Sequence, residues 1–170
     1  HVIAWESSHV IAWDFSAIHQ LSSDCKIKKG SKAVIIKPNY PSNIRDLARI
    51  KGLKIIKNRI NLYKILRLNG TDFHSGKIDY LKEAIAPDWD ENFKKECGHG
   101  LHLADSPSGA KYFCGDKENY LLIEVSADIN DCRPFPGVPQ YPMKLRAKAC
   151  RFEKIIEKVE KGKIIIEEGK

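Results

Sequence analysis

The stretch Glu96-Cys-Gly-His-Gly-Leu-His-Leu-Ala-Asp-Ser-Pro-Ser-Gly-Ala-Lys-Tyr-Phe113 decides how the rest of the chain is read. Gly100-Leu-His-Leu103 has the look of a short strand entered through a glycine turn, because Gly98 and Gly100 accept backbone angles that side chains resist. Ser106 stands where an N-cap is needed, and Pro107 at the first helical position, where no backbone N–H is required. A short helix over residues 108–113 should follow. Tyr120-Leu-Leu-Ile-Glu-Val125 is apolar enough for a buried strand. Strand, short helix and buried strand in this order predict an α+β domain.

Working outward, Asn61-Leu-Tyr-Lys-Ile-Leu-Arg67 reads as a full strand followed by the turn pair Asn69-Gly70. Ile44, Leu47 and Ala48 follow helical spacing, with Ser42 or Asn43 as the cap and Gly52 as the stop. Leu53-Lys-Ile-Ile56 is a brief strand candidate, and Tyr80-Leu-Lys-Glu-Ala-Ile85 is either one helical turn or a strand. Pro87-Asp-Trp-Asp90 reads as a loop anchored by a buried Trp89. Residues 132–142 carry Pro134, Pro136, Pro139 and Pro142 and predict an irregular loop. From Met143 to Phe152 the chain alternates, Leu145, Ala147 and Ala149 against Lys144, Arg146, Lys148 and Arg151. That pattern predicts one strand with a basic face, which either is solvated or contacts phosphate or nucleic acid. Residues 153–170 form an amphipathic helix or a hairpin turning at Lys161-Gly162.

The front of the chain is built differently. His1-Val-Ile-Ala-Trp5 recurs unchanged as His9-Val-Ile-Ala-Trp13, eight positions on. Units beginning at Ala17 and Cys25 keep less of the pattern, and Ala33-Val-Ile-Ile-Lys37 is a candidate fifth. A unit this short cannot bury an apolar face alone, so copies must stack. Residues 1–36 are therefore expected to form the end of a β-solenoid, with Trp5 and Trp13 stacked in register. The alternative is a pair of irregular strands at the edge of the main domain, residues 37–170. Open solenoid edges invite self-association. A start inside a repeat, at His1, suggests a piece of a longer protein.

Composition narrows the class. Of 170 residues, 42% are hydrophobic and 30% charged, which excludes a collagen-like or wholly disordered chain. No apolar run approaches the roughly 18–20 residues of a membrane span, so no membrane partner is expected. Lys plus Arg number 29 against 22 Asp plus Glu, a net charge of +7 that favours polyanions. Five cysteines, Cys25, Cys97, Cys114, Cys132 and Cys150, are widely spaced without a CxxC pair, which predicts reduced thiols and a cytoplasmic protein. No P-loop, dinucleotide fingerprint or nucleophile elbow is present.

Gly100-Leu-His-Leu-Ala-Asp105, Ser108-Gly-Ala-Lys-Tyr112 and Leu121-Leu-Ile-Glu-Val125 together resemble the ADP-ribosyltransferase superfamily, in its poly(ADP-ribose) polymerase branch. There a strand of the form Gly-Ile-Tyr-Phe-Ala-Asp runs into a Ser-x-x-Ala-x-Tyr helix and then a strand ending Glu-Val. Cys97-Gly-His-Gly-Leu-His102 and Lys144-Leu-Arg-Ala147 also resemble an uncharacterised, phage-associated family with the pattern Cys-Gly-x-Gly-Leu-His and a late Lys-x-Arg-Ala strand. The transferase resemblance implies a split antiparallel sheet, NAD or another nucleotide as cofactor, and transfer of ADP-ribose to protein or nucleic acid. It places His102 where an aromatic stacks on nicotinamide, as the candidate catalytic residue. It implies Gly100, Leu101 and Tyr112 in the cofactor pocket, with Tyr63, Lys64 or Arg67 as the first-strand clamp on ribose or phosphate. The family's late Glu has Met143-Lys144 in its place. The phage-associated resemblance implies instead a non-enzymatic binding or assembly module of a phage or mobile-element protein.

Other chemistry is weaker. Cys97, His99 and His102, joined by Cys114 or Cys132, are candidate zinc ligands, but Cys-x-His-x-x-His is not a standard spacing, so no metal is expected. His102 is then a hydrogen-bonded strand residue or a ligand contact. Asp105 would repel an anion at the helix start, which favours simple capping there. Lys144, Arg146 and Lys148 are the candidates for nucleic acid or phosphate. Asp72, His74 and Asp79 have the chemistry of an acid–base group without a spacing that joins them.

Overall fold

The computed structural model describes residues 2–4, 8–20, 25–36, 41, 43–91, 99–134 and 144–167. Each apolar run of the repeat becomes one short strand: β1 (Val2–Ala4), β2 (His9–Ala12), β3 (Ala17–Gln20), β4 (Lys26–Lys29) and β5 (Val34–Ile36). All their pairings are parallel, and they skip a unit. β3 lies between β1 and β5, while β2 pairs with β4. Val2 thus faces Ile18, Ile18 faces Ile35, and Val10 faces Ile27. One eight-residue unit carries the chain from one sheet to the other, and two units bring it back. Ala4, Ala12, Ile18 and Cys25 are buried together. Trp5 lies outside the described residues, so its expected stacking does too. The Trp13 ring is largely exposed and lies alongside Gly30.

The rest is a mixed α+β, strand-rich unit. α1 (Ile44–Lys51) begins where Asn43 Oδ1 accepts the Asp46 N–H at 2.9 Å and ends at Gly52, whose φ of 67° suits glycine. Its buried stripe is Ile44, Leu47 and Ala48. There follow β6 (Ile55–Ile56), β7 (Arg59–Leu66), β8 (Ala84–Ile85), β9 (Leu101–Ala104), α2 (Pro107–Tyr112), β10 (Tyr120–Asp128), β11 (Cys132–Pro134), β12 (Lys144–Ala147), β13 (Ala149–Glu160) and β14 (Lys163–Glu167). The sheet runs β11-β12-β9-β7-β10-β13-β14, its described pairs all antiparallel, with β6 on β7 and β8 on β13. The C-terminal segment is a hairpin turning at Lys161-Gly162, both at positive φ.

One expectation is corrected. The alternating run from Met143 to Phe152 is not one strand. It breaks at Lys148, whose N–H donates to the Asp131 carbonyl at 2.9 Å and whose carbonyl accepts from Ala86 at 2.8 Å. β12 and β13 are joined by this single residue, yet β9, β7 and β10 stand between them in the sheet. Two Cα steps span at most about 7 Å. Four spacings of a flat sheet come to about 19 Å. The sheet must therefore wrap, and the inside of the wrap is the main core, with Leu62, Leu101, Leu103, Ile123, Val125 and Leu145. α2 covers one end of the outer face, setting Ala110 against Ile65, Ala104 and Leu122.

Buried Glu157 ties α2 to the sheet. It accepts from Lys111 Nζ at 2.6 Å and from the Tyr120 hydroxyl at 2.5 Å. Burial pushes its carboxyl up, but these two hydrogen bonds and the Lys111 charge outweigh burial and hold it below its ordinary value. Stability from this carboxylate is therefore present above the unfolded value of 4.5 and lost as pH falls through the lower folded one. Glu157→Gln should cost about 1–3 kcal/mol near neutral pH. It should also flatten the fall of Tm with acidification, read by circular dichroism melts; an unchanged acid slope would contradict this role.

Candidate functional site

Among the described residues the ladder between β7 and β9 is one pair long, Tyr63 opposite Ala104, whereas β9 pairs with β12 along its full length. Next to that pair Lys64 Nζ donates to the His102 carbonyl at 2.7 Å. A side chain supplies a bond between strands that the backbone does not. The ammonium sits 5.3 Å from the centre of the Tyr80 ring and feels the charge of Asp72. Burial dominates and lowers its pKa from 10.5 to about 8, with Asp72 opposing. Burial acts on Asp72 too, raising its pKa. Hydrogen bonds from the Ser75 hydroxyl and N–H and from Ile78 N–H, with the Lys64 charge, prevail and leave it lowered.

A cavity of about 210 Å³ opens at this split. Tyr63, Phe73 and Phe113 give it aromatic walls; His102, His74, Lys64 and Lys144 give it polar ones. Among the described residues no carboxylate lines it. Phe73 is backed by Lys117 Nζ, 4.9 Å from its ring centre, and by the Arg67 guanidinium at 5.9 Å. The hollow is cationic and aromatic, suited to an anion attached to a planar ring. It is smaller than the roughly 300–1,000 Å³ of drug-sized pockets.

The residues singled out in the sequence part company here. His102, half-buried, lines the cavity together with Lys64 and Lys144. Leu101 does not: it is fully buried in the main core, because neighbouring strand positions point to opposite faces. Gly100, at φ 128°, packs on Trp89, whose ring would lie 3.1 Å from an added Cβ. Its N–H donates to Asp88 Oδ1 at 3.2 Å, while His99 Nδ1 lies 2.8 Å from Asp88 Oδ2. This glycine shapes the entry to β9 without lining the hollow. Tyr112 is exposed and meets Phe113 edge-on at 5.5 Å, and it is Phe113 that reaches the cavity. Arg67 stands behind Phe73, donating to its carbonyl at 3.3 Å.

The basic row is divided rather than continuous. Lys144 lines the cavity, while Arg146 is fully buried beside His102, donating to the His99 carbonyl at 2.8 Å. Lys148 is exposed at the strand break, and Arg151 lies 3.3 Å from Glu83. At the start of α2 the Ser106 hydroxyl accepts from Gly109, and buried Asp105 pairs with Lys51 at 3.1 Å, as capping requires. Cys97 and Gly98 lie outside the described residues. Cys25, Cys114, Cys132 and Cys150 are buried, and no group of three or more His, Cys, Asp and Glu suited to a metal occurs among the described residues. No helix among them is long and apolar enough to cross a membrane.

A second hollow was not foreseen. Beyond Tyr63, which belongs to both linings, a groove of about 570 Å³ runs along the outer face of β7, β10 and β13. Asn61 Nδ2 donates to Glu124 Oε1 at 2.8 Å, and Lys154 Nζ lies 3.3 Å from Oε2. Arg59 donates to the Ser126 hydroxyl at 2.8 and 3.0 Å and to its carbonyl at 2.7 Å; that hydroxyl donates to Glu153. The signal in the sequence is the polar alternation Arg59-x-Asn61-x-Tyr63 facing Glu124-x-Ser126 within otherwise apolar strands. No protein-family model matches the chain, and neither a curated protein nor a solved structure matches it.

The lowered Lys64 amine is testable. The side-chain NMR resonances of Lys64, followed over pH, should shift with a midpoint near 8. A midpoint near 10.5 would show that the ammonium is not desolvated.

Proposed function

We propose that residues 37–170 form an ADP-ribosyltransferase-like domain that binds NAD or a related nucleotide at the split between β7 and β9. The carrying observation is that His102 lies on the wall of the cationic, aromatic cavity at that split. An anionic group would face Lys144, with the buried Lys64 ammonium in the split behind it, and a planar ring would lie among Tyr63, Phe73 and Phe113. Lys144 occupies the region where the resembled family has its late carboxylate. A cation there favours phosphate and does nothing for positive charge developing at an anomeric carbon. The cavity wall thus supports binding, and transfer of ADP-ribose needs a carboxylate from elsewhere on the surface. Titration calorimetry should show NAD binding that His102→Ala weakens at least tenfold, and labelled NAD reports any transfer or hydrolysis. No binding at millimolar NAD would overturn the proposal.

A second reading, a non-enzymatic assembly module of a phage or mobile-element protein, rests on the repeat. Parallel pairing of alternate units is the arrangement expected of stacked β-solenoid turns. Ile3, Ile11, Phe15 and Val34 are exposed on it. Apolar exposure of this kind marks contact surfaces. On this reading Ile11→Lys in the full chain lowers the assembled mass measured by light scattering. The same mass for both proteins would count against it. The divided basic row gives nucleic-acid binding no comparable observation.

A further inference from the structure

We propose that the groove beyond Tyr63 is a sugar subsite, in which Glu124, held by Asn61, accepts hydrogen bonds from the vicinal hydroxyls of a pentose or hexose ring. The inference rests partly on the nucleotide reading of the neighbouring cavity, because the sugar belongs either to that nucleotide or to a free saccharide.

The two hollows share one face of one sheet. Tyr63 is opposite Ala104 in β9 and opposite Glu124 in β10. Residues directly opposite each other in a sheet project to the same side, as do residues two apart in a strand. His102, Tyr63 and Glu124 therefore stand on one surface. The groove carries what sugar hydroxyls need and the cavity lacks. It has two carboxylates, Glu124 and Glu153, the Asn61 amide and the Ser126 hydroxyl on neighbouring strands, with the cations Lys54, Lys57 and Arg59 beside them. Sugar hydroxyls both donate and accept, so mixed polar side chains recognise them better than a purely cationic wall does. Glu124 is buried apart from its groove-facing edge, and Asn61 and Lys154 each engage one of its oxygens. A carboxylate offers about four lone-pair sites, so acceptor capacity remains. Tyr63 supplies an aromatic surface at the junction. Taken together, the two volumes reach the roughly 300–1,000 Å³ range of small-molecule sites, which the cavity alone does not.

The test titrates the full chain with three probes: inorganic pyrophosphate for the cavity, ADP-ribose for both hollows, and free oligosaccharides such as xylohexaose for the groove. Glu124→Gln keeps the size of the side chain and should weaken ADP-ribose binding at least tenfold while leaving pyrophosphate affinity unchanged. Asn61→Ala, at an exposed position, should reproduce the loss without depending on how Glu124→Gln folds. If the variants instead weaken a free saccharide and spare ADP-ribose, the subsite stands and its sugar comes from a saccharide. A saccharide bound in this way while pyrophosphate is refused would sink the cavity reading and keep the groove. Pyrophosphate binding with every sugar-bearing probe indifferent to both variants would overturn the subsite and keep the cavity. If no probe binds at millimolar concentration, both fall.

Discussion

The hydrogen bond from Lys64 Nζ to the His102 carbonyl is the contact on which the site depends. β12 and β13, a residue apart in the chain, belong to opposite halves of the sheet, so the sheet has to curl. β7 and β9 take part in that curl with one ladder pair between them. A carbonyl beside a parted ladder needs a donor, since an unpaired buried one costs on the order of 1–3 kcal/mol. A lysine reaches across where a backbone N–H does not. Burying its ammonium is unfavourable, which is why its proton is held loosely, and Asp72 returns part of the loss. The hollow and the split are thus one feature: the opening exists where the ladder stops, and Lys64 keeps the two strands from separating further.

Position along the outer face then sorts the chemistry. Toward α2 the sheet is covered by helix, and the remaining space is lined by aromatic rings and cations. Away from α2, the turn after α1 and β6, residues 52–57, border the groove that holds Asn61, Glu124 and Ser126, and the polar side chains satisfy one another in a network. Tyr63 stands at the boundary because it is the residue of β7 that pairs with both neighbours, β9 and β10. The outward positions of β7, from Arg59 through Asn61 and Tyr63 to Ile65, run from polar to apolar along this boundary.

Local signals in the sequence read well because their causes are local. Asn43, Gly52, the Ser106-Pro107 pair and the Lys161-Gly162 turn act on backbone groups within a few residues, and each element boundary follows them. What failed depended on distant partners. The run from Lys144 alternates as far as Ala149 and slips phase at Ala149-Cys150, but the break at Lys148 is held by Asp131 and Ala86, far away in sequence. Arg146 occupies a polar position in that alternation and reads as solvated, yet Trp89, with its ring 5.9 Å from the guanidinium, helps to bury it. The eight-residue period located the repeat strands, but not that each pairs with the next but one. The glycine-led strand that carries His102 was legible. Phe73 and Phe113 were not, since nothing local tells which aromatic of a loop or helix end turns inward. Leu101 was misplaced by one position, which in a strand is a change of face.

The distribution of charge limits what chemistry this surface can perform. A site that only binds an anionic nucleotide is served by Lys64 and Lys144, with His102 and the aromatic rings fixing orientation. Cleavage of a glycosidic bond places positive charge on the sugar, and a cation near that atom would oppose it. The carboxylates within the same face, Glu124 and Glu153, belong to the groove and not to the cavity. Among the described lining residues, carboxylates are thus offered to a ligand on the groove side of Tyr63 and not on the cavity side. Glu124 is suited to a positioning role there, because Asn61 and Lys154 fix both of its oxygens before a ligand arrives. A carboxylate oriented in advance loses little on binding, and the same orientation is what stabilisation of an anomeric cation would require. A ligand long enough to cross Tyr63 would meet aromatic rings and cations on one side, and carboxylates, an amide and further cations on the other.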